Sequence, residues 1–99
     1  MNNLKTGREV VVAGVGLHPF GRFRDKPLAS LALDSVIAAL KDAAVAWKDI
    51  QVAYFGHVYY EGMSFGETSL SKLGLPGIPI ITVENACSSG STAFWQAYW

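Results

Sequence analysis

Cys87 is the only cysteine in this 99-residue chain. It lies in "VENACSSGSTAF" (83–94), between a β-branched run and a patch of Ser, Gly and Thr that leads into an aromatic helix. A thiolate at that place can attack an acyl carbon. At a helix N-terminus, unpaired backbone N–H groups and the positive end of the dipole favour negative charge, which lowers a thiol pKa. Gly90, after two serines, would let a substrate carbonyl approach the backbone. Against this stands the ordinary fate of a lone cysteine, a small apolar side chain buried in a core. The residues by themselves leave both readings open.

The other reactive side chains are scattered. His57 in "FGHVYY" could be a base for Cys87, although an isolated strand histidine more often packs or is solvated. His18, beside Pro19, is similar, and Glu61 and Glu67 are most simply solvated loop charges. One cysteine cannot close an internal disulfide, and no Cys/His grouping has metal-ligand spacing, so no metal site is expected. A hydrolase nucleophile elbow would need glycines where Asn85 and Ser89 stand. A dinucleotide fingerprint at Gly14 and Gly16 fails at Pro19, where a helix should open.

The elements that must position these groups alternate along the chain. "EVVVAGVG" (Glu9 to Gly16) predicts a buried strand closed by glycines, followed by the loop "LHPFGRFRDKP". From Leu28 to Trp47, Leu33, Ile37, Leu40, Ala44 and Trp47 step by 4, 3, 4 and 3, which predicts a helix with a bulky apolar stripe. Asp25 is its candidate N-cap, with Pro27 in the first turn. Val52 to Val58 predicts a second strand, Thr68 to Leu75 two helical turns capped at Gly74, and Ile78 to Glu84 a third strand. Ser88 to Trp99 predicts a final helix with Phe94, Ala97 and Tyr98 on one face. The stripes around Trp47 and Phe94 are expected core. The order β-α-β-α-β-α implies an α/β fold with a parallel three-stranded sheet and right-handed crossovers. In such a sheet, ligands collect beyond the carboxyl ends of the strands, where "AGVGLHPFG", "GHVYYEG" and "ENACSSG" all fall.

Composition narrows the class. The chain is 51% hydrophobic and 16% charged, which places it among globular proteins with large apolar faces. A chain of this length can bury roughly 60–65% of its unfolded surface in one core. Eight basic and eight acidic residues cancel without clustering, so neither nucleic acid nor an anionic membrane is an expected partner. No apolar run could span a bilayer, and the polar start "MNNLKTGRE" lacks the apolar core of a secretory signal, so a cytoplasmic location is expected.

Three stretches in order resemble the thiolase superfamily, and specifically the N-terminal part of its lipid-transfer-protein (sterol carrier) branch: "VVVAGVGLHPFGRF", the helix followed by "AYFGHVYYEG", and "LGLPGIPIITVENACSSGSTAF". The resemblance spans nearly the whole chain, and implies that residues 1–99 form one partial thiolase N-terminal domain, truncated after the nucleophile-bearing helix begins. It implies that Cys87 is the nucleophile that takes an acyl group from an acyl-CoA as a thioester. Its backbone N–H would donate to the oxyanion. Coenzyme A thioester enters as substrate, and no resident cofactor is implied. Glu84 stands where most degradative and biosynthetic thiolases carry asparagine, a feature shared with the lipid-transfer branch. The base that activates the nucleophile lies downstream in the family and is absent from this chain. Thiolases dimerise through the strand before the nucleophile, which implies a homodimer through Ile78–Glu84, or completion by a downstream half. A ketoacyl-synthase-like condensing enzyme and a non-catalytic lipid- or acyl-CoA-binding subunit are the alternatives.

Overall fold

A computed structural model describes residues 7–58, 62–74 and 77–99. Helix α1 spans Leu28–Ala43. Its N-cap is Pro27, whose carbonyl accepts the Ser30 N–H at 3.0 Å, and the expected Asp25 cap is not made. The helix also stops earlier than its apolar stripe. Ala44 turns left-handed (φ +56°), and the Val45 N–H closes back on the Leu40 carbonyl at 3.1 Å, which satisfies a terminal carbonyl. Trp47 therefore leaves the helix. It opens a 3₁₀ turn, Trp47–Asp49, and its indole N–H donates to the Gly74 carbonyl at 3.2 Å.

Strands β1 (Ala53–Gly56) and β2 (Ile80–Val83) pair in parallel, with Ala53 opposite Ile80 and Gly56 opposite Val83. Between them come α2 (Phe65–Leu70) and a 3₁₀ turn, Ser71–Leu73, that ends at Gly74 (φ +116°), the expected cap. The helical stretch starts three residues before Thr68, because Phe65 and Gly66 are buried and belong to its first turn. Helix α3 spans Ser89–Tyr98 and packs on both strands, while α2 touches both strands and α1. The α/β class and the parallel pairing are as expected. No described helix is long and apolar enough to cross a membrane.

Two further expectations fail. The first strand, Glu9–Gly16, joins no ladder among the described residues, and Val11, Val12 and Val15 are 64–69% exposed. The segment lies along α1 instead. The Val15 N–H donates to the Asp42 carboxylate at 3.0 Å, and Gly14 is so close that a Cβ there would lie 2.6 Å from the Ala39 carbonyl. A β-branched run signals burial against a neighbour, and no described strand supplies one.

The face of α3 is the second. Ser89 and Ala93, not Phe94, are its buried residues, and Phe94 is 65% exposed. The core runs through Phe65, Leu70, Ser69, Ser89 and Ala93. Phe65 stacks edge-on against Phe55, with ring centroids 5.3 Å apart. Small groups face the sheet because α3 sits almost in backbone contact with β1: a Cβ on Gly56 would meet the Ser89 carbonyl at 2.6 Å.

Candidate active site

β1 and β2 end side by side, and the His57 N–H donates to the Val83 carbonyl at 3.3 Å. Beyond that edge, residues 84–88 turn the chain from β2 into α3. A turn this short must reverse direction while leaving no buried backbone group unmatched. It does so with its own side chains. The Glu84 carboxylate accepts the Ala86 N–H at 2.6 Å, and Ala86 is left-handed (φ +51°). The Ser89 hydroxyl accepts the Asn85 N–H at 2.7 Å and donates to the Ala86 carbonyl at 2.8 Å. The Asn85 side-chain amide donates to the Thr92 hydroxyl at 3.0 Å, which ties the turn to the second turn of α3. Ser88 donates both its N–H (3.1 Å) and its hydroxyl (2.9 Å) to the Asn85 carbonyl.

Cys87 stands in this turn, exposed and outside any disulfide, immediately before the α3 N-cap Ser88. No described residue buries it. No described residue accepts the Cys87 N–H. Thiol and N–H are thus presented together at the start of a helix, an arrangement that can hold an acyl carbon against sulfur and its oxygen against backbone.

His57 lies at the same sheet edge, half-buried, and packs edge-on against Phe65 at 5.7 Å, as an ordinary strand histidine does. His18 is held elsewhere. Its ring takes a hydrogen bond from the Lys26 ammonium at 2.9 Å and stacks edge-on on Phe23 at 4.7 Å, fixing the loop before α1. Glu61 lies outside the described residues. Glu67 is on α2 rather than in a loop, half-buried, with the Thr82 hydroxyl donating to it at 3.5 Å. Among the described residues no cluster of three metal-ligating side chains occurs. The turn's own polar residues, Glu84 and Ser89, carried little sequence signal beyond their spacing around Cys87.

No family model matches the chain. It is 38% identical over 90 residues to sterol carrier protein 2 of Bos taurus, an alignment covering 89% of this chain and 17% of that protein. It is 39% identical over 96 residues to a subunit of benzoylsuccinyl-CoA thiolase from Thauera aromatica, covering 95% of this chain and 24% of that protein. Over the matched residues the chain is similar to proteins of the thiolase superfamily. It spans between 17% and 24% of the length of those two relatives. The superfamily fold is also visible in space. The crystal structure of 3-oxoacyl-[acyl-carrier-protein] synthase III from Aquifex aeolicus superposes with a TM-score of 0.68 at 16% identity, over 75% of this chain and 25% of that one. The likeness is one of architecture, and it includes an incomplete thiolase-type layer of parallel strands and helices.

Proposed function

We propose that the protein carrying this sequence is a cytoplasmic acyltransferase that moves acyl groups between coenzyme A thioesters through an S-acyl Cys87. The observation that carries this is the exposed thiol of Cys87 on the turn between β2 and α3, beside a backbone N–H that no described residue accepts. The Cys87 sulfur attacks the thioester carbonyl carbon, and the carbonyl electrons move onto oxygen, where the Cys87 N–H donates. Collapse of that tetrahedral species expels the coenzyme A thiolate and leaves the acyl group on sulfur. A second nucleophile, a coenzyme A thiol or an acyl-CoA carbanion, then takes the acyl group and frees the cysteine. A thiolate suits both steps because it is a strong nucleophile and a good leaving group. The base that deprotonates Cys87 is supplied from outside these 99 residues. The free edge of β2 pairs two copies of the protein, since an isoleucine-rich strand with an open edge favours strand addition.

Acetyl-CoA offered to the full polypeptide should add one acetyl group, mapped by mass spectrometry to Cys87. No adduct, or an adduct on another residue, overturns the assignment. A second reading, a non-catalytic carrier of lipid or acyl-CoA, draws on an apolar groove of about 430 Å³ lined by Val10, Val12, Val36, Leu40, Phe94 and Tyr98. In that case Cys87→Ser leaves ligand affinity and function intact.

A further inference from the structure

We propose that Glu84 is a positioning residue for Cys87: its carboxylate clamps the left-handed turn that presents the thiol. The inference rests on the reading of Cys87 as the acyl acceptor. Glu84 directly follows β2, and its Oε2 accepts the N–H of Ala86, the residue before Cys87, at 2.6 Å. A charged acceptor at that distance belongs to the stronger class of hydrogen bond. What it holds needs holding. Ala86 has φ +51°, where a Cβ crowds the following carbonyl and where glycine or asparagine is the usual occupant. Its carbonyl is held from the other side by the Ser89 N–H (3.2 Å) and hydroxyl (2.8 Å). Ala86 is therefore pinned at both peptide groups, by the strand on one side and the helix on the other.

Asn85 is tied to the helix side instead. Its N–H goes to Ser89 and its side-chain amide to Thr92. Glu84 is also exposed, so its charge remains hydrated and the clamp carries little desolvation cost. The carboxylate selects as well as restrains. By occupying the Ala86 N–H, it leaves the next amide, that of Cys87, as the donor without a described partner. The direction of the Cys87 Cα–Cβ bond follows from the Ala86 backbone, so relaxing Ala86 misdirects sulfur and oxyanion donor together.

The test uses the full polypeptide carrying Glu84→Ala, Glu84→Gln, and Glu84→Ala combined with Ala86→Gly. Cys87 acetylation by acetyl-CoA should slow roughly tenfold in Glu84→Ala, equivalent to about 1.4 kcal/mol of misplacement. Alkylation by iodoacetamide, which needs a thiolate but no oxyanion donor, should be nearly unchanged. Glu84→Gln keeps an accepting oxygen and should retain most of the acetylation rate. Ala86→Gly should restore most of the rate lost in Glu84→Ala, because glycine holds positive φ without a clamp. Acetylation of Glu84→Ala at the wild-type rate overturns the proposal, as does a loss that neither the glutamine nor the glycine relieves. If the unaltered protein takes up no acetyl group, the reading of Cys87 fails, and Ala86 amide hydrogen exchange decides on the clamp. Faster exchange in Glu84→Ala then supports it, and equal exchange overturns it.

Discussion

Gly56 of β1 and Ser89 of α3 meet backbone to backbone: a Cβ on Gly56 would lie 2.6 Å from the Ser89 carbonyl oxygen and 2.7 Å from its carbon. The first turn of the helix that follows Cys87 therefore rests directly on the strand. Neither partner is a flexible side-chain end, so neither can move aside cheaply. Gly56→Ala should push α3 off the sheet and destabilise the protein by about 1–3 kcal/mol, the usual range for overpacking. Thermal denaturation followed by circular dichroism measures it, and an unchanged midpoint would contradict the contact.

Cys87 is exposed, and its thiol makes no hydrogen bond among the described residues. Cys87→Ser should therefore leave the melting temperature within the small range of surface substitutions, about 0.5 kcal/mol either way. Acetylation by acetyl-CoA should be abolished. Calorimetry and intact-mass analysis of the same preparation separate the two effects, and a large loss of stability would mean that the thiol has a packing role.

Ser89 is 4% exposed, and its hydroxyl serves the Asn85 N–H and the Ala86 carbonyl at once. Ser89→Ala removes both hydroxyl hydrogen bonds and leaves the Asn85 N–H without this acceptor, while the Ala86 carbonyl keeps the Ser89 N–H, which should destabilise by about 1 kcal/mol. Ser89→Thr keeps the hydroxyl but adds a methyl in a tight site, so it should recover only part of this. Urea titration of the three proteins reads the order directly.

Val11, Val12 and Val15 join no strand among the described residues and are 64–69% exposed, and Phe94, Trp95 and Trp99 are 65%, 56% and 60% exposed. Contiguous apolar surface of this kind drives association. Residues 1–99 expressed alone should self-associate, with scattering that rises with concentration. Replacing Val11 and Val12 by lysine should lower that association, since charge on an open edge blocks strand addition. A monodisperse, cooperatively melting monomer would show the apolar faces to be already covered.

Much of the architecture was legible in the amino-acid order. Helix α1 followed from its 4, 3, 4, 3 apolar steps, Gly74 from its place after an apolar run, and β1 and β2 from short β-branched runs bounded by glycine and proline. The "ENACSS" turn also fell at the sheet edge, where alternation of strands and helices places it. These are local signals, set by side-chain period and backbone preference within one turn or one strand.

What the sequence could not decide depends on groups far apart in the chain. The run Glu9–Gly16 has the composition of a buried strand, yet strand formation requires a backbone partner, and it lies against α1 instead. Phe94 sits at a helical period suited to a core, but the approach permitted by Gly56 turns Ser89 and Ala93 inward and leaves Phe94 outside. Whether Cys87 was buried or presented was equally undecidable, because its residue type suits both. The sequence by itself determined a parallel α/β chain with one thiol at the strand-to-helix turn. Only the tertiary structure exposed that thiol, through Glu84 on the strand side, Ser89 on the helix side and the missing Cβ of Gly56 beneath them.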